Sequence, residues 1–213
     1  MARIVVIGGH GKVALQLARI LSGRGDEVTS VFRNPEHSDA VAATGATPVA
    51  ADIERLNTHA LADLLTGHDA VVFTAGAGGG NPARTYAVDR NAAIRVIDAA
   101  AQAGVRRFVM VSYFGAGPNH GVPQDDPFFP YAEAKAAADA HLRGSDLDWT
   151  VLGPGRLTLE PATGQITVGQ GKGEVSRADV ALVVAATLHD DSTIRRTIEF
   201  NNGDVPIAQA LAG

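Results

Sequence analysis

Short runs of β-branched and apolar residues alternate along the chain with longer segments whose apolar positions recur every three or four residues. The runs predict strands over residues 3–7, 27–32, 47–50, 69–73, 107–111 and 148–152. The helical-period segments predict helices over 11–22, 57–65, 82–103 and 131–142. Pro82 falls near the first turn of the long helix and Gly104 stops it. The strands at 3–7, 69–73, 107–111 and 148–152 are almost uniformly apolar, which a parallel sheet covered on both faces requires. Repeated strand–helix units then imply right-handed crossovers and a doubly wound α/β sheet of Rossmann type.

After Pro154 the pattern changes. Residues 157–159 and 165–168 read as a short hairpin, 177–188 as a helix, 198–201 as a strand and 206–211 as a last helix. This is too little for a second domain, so the expectation is one domain over 1–213, with 154–213 a small appendage on the substrate side. The richest glycine stretch, Gly76-Ala77-Gly78-Gly79-Gly80, follows a strand at its carboxyl end, where open α/β sheets bind ligands.

Composition narrows the function classes. With 46% hydrophobic and 19% charged residues the chain reads as an ordinary globular protein. A net charge of -5 with no basic cluster argues against a nucleic-acid surface. The absence of cysteine excludes disulfides and thiolate chemistry. No apolar run reaches membrane-span length, and no signal peptide fits before the first strand, so the expectation is a cytoplasmic protein without membrane contact. The histidines show no metal spacing, and no metal is expected.

The strongest chemical signal is Gly8-Gly9-His10-Gly11-Lys12-Val13-Ala14, a G-x-x-G-x-x-A turn between the first strand and the first helix. Small residues there let the chain turn tightly, approach a pyrophosphate and pack helix on strand. The helix amino terminus offers free N–H groups and a positive dipole end to the anion. The second strand ends at Phe32-Arg33, about 20 residues on, where an acid would bind the ribose 2′-hydroxyl of NAD and an arginine accommodates a 2′-phosphate. No acid stands at that strand end, so NADP(H) is preferred, with NAD(H) possible. Asp52, followed by Ile53, either accepts from the adenine amino group or caps the helix beginning nearby. Thr74-Ala75-Gly76 is expected beside the adenosine half, or else to open a loop without contacts.

Several segments taken in order resemble the short-chain dehydrogenase/reductase superfamily, in its small atypical NAD(P)H-binding branch of flavin- and biliverdin-reductase-like and NADP-sensor-like proteins. They are Gly8–Gly11, Val31-Phe32-Arg33, Asp52, residues 69–76, 105–112 and 147–155, and Ser176-Arg177-Ala178-Asp179-Val180-Ala181. The resemblance implies a reductase centre of Ser112 with Tyr131 and Lys135 in Y-x-x-x-K. Residues at i and i+4 share a helix face. Lys135 would then lower the phenol's pKa and hold the nicotinamide ribose, Tyr131 would pass a proton, and Ser112 would orient the substrate oxygen. Other readings make Tyr131 and Lys135 an exposed helical pair and Ser112 a buried hydroxyl satisfied by backbone, with Tyr113 in its place. Pro154-Gly155 is expected to line the nicotinamide. Relatives often carry arginine where this chain has Gly153.

His120, in the loop 115–130, is either an acid/base group or a solvated loop residue. Phe128 and Phe129 either stack on a flat acceptor or anchor that loop. Trp149 is assigned to the core, and Arg177 to pinning the hairpin. Together these readings point to an NADP(H)-dependent oxidoreductase acting on a small carbonyl, quinone or flavin-like acceptor. The alternatives are a non-catalytic NADP(H) sensor and a sugar-nucleotide epimerase or dehydratase. A monomer or homodimer is expected.

Overall fold

In the computed structural model, which describes every residue from Met1 to Gly213, the first strand lies third from one edge of a nine-stranded sheet. The strands are β1 (Arg3–Ile7), β2 (Glu27–Phe32), β3 (Thr47–Ala50), β4 (Ala70–Phe73), β5 (Arg107–Val111), β6 (Asp148–Pro154), β7 (Arg156–Thr158), β8 (Gln165–Val168), β9 (Glu174–Ser176), β10 (Arg196–Asn202) and β11 (Val205–Pro206). The sheet order is β11-β8-β10-β6-β5-β4-β1-β2-β3. From β3 across to β10 every neighbouring pair is parallel. β8 is antiparallel to both β10 and β11.

The helices are α1 (Lys12–Gly23), α2 (Ser38–Ala42), α3 (Thr58–Leu65), α4 (Pro82–Thr85), α5 (Ala93–Gln102), α6 (Phe129–Arg143), α7 (Arg177–Thr187) and α8 (Ile207–Leu211). Ile4 and Val6 of β1 pack in a core layer with Leu17 and Leu21 of α1 and Val180 and Val184 of α7. Val5 and Ile7, pointing the other way, pack with Leu61 of α3, Val96 of α5 and Leu142 of α6. The strand alternates as a pleat must, but both faces are buried, which is why its sequence shows no polar beat. Each such buried side chain contributes roughly 1.5–3 kcal/mol. The chain crosses from β3 at one edge back to β4 beside β1, so the strand order reverses at the β1/β4 boundary and a crevice opens beyond their carboxyl ends.

Two predicted elements change. The stretch read as one long helix is helical from Pro82 to Gln102, but Tyr86–Ala92 is a π-helical turn between α4 and α5. That insertion turns Asp89 into the interior, where it is 1% exposed. The hairpin read over 157–168 does not form. β7 pairs in parallel with β9, and β8 joins the main sheet beside β10. The partners are non-local: Gly155 and Gly173 let the β7 and β9 backbones close on each other, since a Cβ at Gly155 would lie 2.6 Å from the Gly173 carbonyl oxygen. β9 and the short helical stretch 35–42 had no counterpart in the periodicity.

Candidate dinucleotide and acceptor site

The turn after β1 is built by backbone. The Gly8 and Gly9 amides both donate to the Val31 carbonyl of β2, at 3.0 and 2.8 Å, and Gly11 N–H donates to Gly8 O at 2.8 Å. Gly8 adopts φ +90, and a Cβ there would meet the Ala75 backbone at 2.6 Å, so the turn and the strand following β4 can close only without a side chain. Gly11 caps α1 with no side-chain hydrogen bond, leaving the first helical amides available to an anion. Gly9 does not line the groove. It is buried against β2, where a Cβ would lie 2.6 Å from that of Ser30.

A groove of about 810 Å³ runs over this turn. Gly8, His10, Gly11, Lys12, Val13, Phe32, Arg33, Asp52, Ile53, Thr74, Ala75 and Gly76 all line it. A glycine cradle that a Cβ would fill and an uncapped helix end together fit a dinucleotide pyrophosphate. Asp52 is not the cap of α3, because Asn57 takes that place by accepting from Ala60 N–H at 2.9 Å. Asp52 instead closes its own turn by accepting from Glu54 N–H at 3.0 Å. Thr74 Oγ1 donates to the Ile7 carbonyl at 3.0 Å, tying the end of β4 to β1 at the groove's edge.

The end of the groove around Arg33 holds residues the sequence reading missed. Arg33 pairs with Glu54 at 3.2 Å, and Arg84 from α4 pairs with the same oxygen at 3.0 Å. Two guanidiniums therefore meet one carboxylate. Glu54 is the acid that the strand end lacked, delivered from beyond β3. His10 stacks on His37, with ring centroids 3.5 Å apart, and burial followed by that neighbour lowers the His10 pKa. Gly78, Gly79, Val88 and Arg177 also line the groove. Only the acid after β3 and the arginine after the glycine stretch were visible as signals, and nothing local paired them.

A second cavity of about 450 Å³ adjoins the first, and Tyr131 and Leu157 line both. Ser112, Tyr113, Phe114 and Phe128 wall it, and Pro154 and Gly155 lie here rather than on the dinucleotide groove. Tyr113, Phe128 and Tyr131 form a ring cluster with centroids 5.1 to 5.6 Å apart. Gly153, where relatives often carry arginine, is tightly packed: a Cβ would stand 3.0 Å from the Glu199 side chain and 3.1 Å from the Tyr113 carbonyl, so these neighbours would have to shift. Glu199 instead accepts from Gly115 N–H at 2.7 Å and fixes the loop after β5. His120 is tied to Glu133 at 2.8 Å and accepts from Val122 N–H at 3.0 Å, which makes it a loop brace rather than a free acid or base. Arg177 donates to the Leu157 and Thr158 carbonyls, pinning β7.

The reductase-type residues separate. Tyr131 reaches the cavities. Lys135, one turn on, is 1% exposed, lines neither cavity, and donates to the Val111 carbonyl at 2.8 Å. Burial, then Asp89, Asp139 and Tyr113, push the Tyr131 phenol far above its usual range, so Lys135 does not acidify it as the spacing implied. The Tyr113 phenol is pushed up to about 12, chiefly by burial. Ser112 Oγ is satisfied by a carboxyl, not by backbone: it donates to Asp139 Oδ2 at 2.6 Å.

A family model described as NAD(P)H-binding matches residues 8–191. The chain belongs to this NAD(P)H-binding family. The likeness extends over the whole length. The chain is 35% identical over 213 residues to a Bacillus subtilis protein called uncharacterized sugar epimerase YhfK, covering 98% of each. A solved structure of a Bacillus halodurans protein, provisionally assigned as an NAD-dependent epimerase/dehydratase, superposes with a TM-score of 0.91 at 35% identity, covering 100% of this chain and 99% of that one. The oxidoreductase ylbE from Lactococcus lactis gives a TM-score of 0.88 at 28% identity, covering 99% and 95%. The Rossmann fold and the atypical reductase branch read from the motifs agree with these findings. No helix is long and apolar enough to cross a membrane.

Proposed function

We propose that this protein is an NADP(H)-dependent oxidoreductase that reduces a small carbonyl, quinone or flavin-like acceptor. The observation that carries the reading is the shared wall. The dinucleotide groove and an aromatic-lined cavity share Tyr131 and Leu157 as lining, so a flat acceptor held in that cavity lies beside whatever fills the groove. When bound, the reduced nicotinamide supplies the two electrons of the reduction.

The chain's own residues bind and orient. Gly8, Gly11 and the amino end of α1 hold the pyrophosphate. Arg33 and Arg84 meet the adenosine ribose, and their excess over Glu54 favours a 2′-phosphate. Phe128 and Tyr113 offer ring faces and edges for stacking. The Tyr131 phenol keeps its proton and donates a hydrogen bond to an acceptor oxygen. An epimerase that uses this tyrosine as a base would need the phenol lowered, and its surroundings raise it.

The test is NADPH oxidation by the saturated protein against a panel of quinones, free flavins and ketones. Turnover with at least one acceptor is expected. Tight NADPH binding with no oxidation across the panel would replace the reductase with an NADP(H) sensor.

A further inference from the structure

Behind the acceptor cavity lies a buried acid that none of these roles uses. Ser112, at the end of β5, lines the cavity and donates to Asp139 Oδ2 at 2.6 Å. Asp139, on α6, is fully buried, and its other oxygen, Oδ1, has no partner. Lys135, on the same helix, donates to the Val111 carbonyl instead of closing an ion pair with Asp139. Asp89, from the π turn, is buried on the far side and accepts from Ala77 N–H at 3.0 Å. The interior thus encloses two carboxyls and one ammonium. A buried orphan oxygen costs less on a neutral carboxyl than on a carboxylate. Asp89 has the backbone donor and Asp139 has the orphan, so the proton belongs on Asp139. The groups facing Asp139 are Lys135 and Arg143 from its own helix, Ser112 from β5, and the Tyr113 and Tyr131 hydroxyls. Burial raises it, and the two cations and the serine hydrogen bond only partly oppose that.

We propose that Asp139 stores the proton that Ser112 Oγ delivers to the reduced acceptor. The inference rests on the reductase reading. The acceptor gains a hydrogen with its electron pair from the reduced nicotinamide, which leaves oxidised. The Ser112 O–H bond breaks and its proton bonds to the acceptor's electron-rich oxygen or nitrogen. With Asp139 protonated on Oδ2 the 2.6 Å contact reverses, the carboxyl donating to Ser112 Oγ while the serine hydrogen turns to the cavity, and the Asp139 O–H bond then breaks and restores the serine hydroxyl. Asp139 is left as a carboxylate beside Lys135 and regains a proton from water entering the vacated cavity. Burial raises both groups, and a carboxyl starts from a far lower ordinary value than a phenol, so the relay draws on the more acidic kind of group.

Two readouts test it. Infrared spectroscopy at neutral pH should show the C=O stretch of an un-ionised carboxyl in the wild type and in Asp89→Asn, and lose it in Asp139→Asn. A band lost in Asp89→Asn but kept in Asp139→Asn overturns the assignment. With an acceptor from the panel, kcat should fall at high pH and carry a solvent deuterium effect. Asp139→Asn and Ser112→Ala should each slow turnover by about tenfold or more, within the range of a positioned proton donor, and lose that high-pH limb, with NADPH affinity unchanged. Combining them should slow it no further, because they act as one unit. If Asp139→Asn does not fold, Ser112→Ala alone decides, and an unchanged pH profile in it refutes the relay. If the wild type reduces nothing, the reductase reading and the delivery step fall together, while the infrared band still reports where the proton resides.

Discussion

Replacing Arg33 with alanine tests the cofactor reading at its narrowest point. Arg33 is held by Glu54 at 3.2 Å, but its side chain is 56% exposed, so the guanidinium is free to turn toward a ligand. Giving up an exposed pair of this kind costs about 0.2–1 kcal/mol. A hydrogen bond to a charged phosphate returns about 1.5–3 kcal/mol. The net gain, about 0.5–2.8 kcal/mol, is about 2–100-fold in Kd, and Arg33→Ala should forfeit it. NADH lacks the 2′-phosphate, so its affinity should move by no more than about 0.5 kcal/mol, the scale of a lost surface pair. The assay is titration of the cofactor's fluorescence with NADPH and NADH on wild type and variant. Raising the salt concentration should shrink the difference between the two cofactors, because the contact is at the surface. Glu54→Gln frees both guanidiniums and should shift affinity the other way, toward tighter NADPH. Equal wild-type affinities for the two cofactors, or a preference for NADH that Arg33→Ala leaves unchanged, would refute the reasoning.

Gly8→Ala should abolish NADPH binding, seen by the same titration, because its Cβ would meet the Ala75 backbone at 2.6 Å from a φ of +90; retained affinity would mean the loop after β4 can retreat. Lys135→Met should lower stability by about 1–3 kcal/mol in urea unfolding, since the Val111 carbonyl loses its donor. The same variant should leave NADPH affinity within about twofold, and a tenfold loss would restore the ribose-holding role. Tyr131→Phe should slow carbonyl reduction by about 10²-fold, as losing one donor to a developing oxyanion does. It should keep the high-pH limb, and losing that limb would make the phenol the proton source. Asp139 is raised in the folded state, so above the ordinary carboxylate value of 3.8 the folded chain binds more protons than the unfolded one. Stability from this group is therefore present below 3.8 and lost as pH climbs through the raised value, and Asp139→Asn should flatten the melting-temperature curve over that interval. Parallel curves would sink this.

The parallel sheet was legible because its signal is local. Residues 3–7, 69–73, 107–111 and 148–152 carry uninterrupted apolar runs, and glycine, proline and asparagine mark most helix ends. The tail was misread because its strands choose distant partners. Residues 156–158 and 165–168 look like a hairpin by proximity, yet one pairs with 174–176 and the other with β10. The glycine turn forms between the first strand and helix as the sequence places it, but Gly9 could not be distinguished from its neighbours without the strand beneath it. The adenosine end was legible only in part. Arg33 was found by its offset from the glycines, whereas Glu54 and Arg84 reach the same point from separate loops.

The catalytic spacing misled for a different reason. Tyr131 and Lys135 do lie on one face of α6, as i and i+4 must. Spacing specifies the face of a helix, however, and not its depth. Four residues advance about 6 Å along the axis, and α6 begins at the cavity wall and carries Lys135 and Asp139 to buried positions. The tyrosine therefore meets the ligand space while the lysine meets the Val111 carbonyl and two buried carboxyls. Asp139, a further i+4 along the same face, is where that geometry leads. Asp139 stands in the run Ala136-Ala137-Ala138-Asp139-Ala140, four residues beyond Lys135, but nothing in the sequence marked either position as core. What the sequence could not show was that the end of β5 would set the Ser112 hydroxyl between that carboxyl and the cavity. That single contact links an acid with no exposed surface to the acceptor cavity.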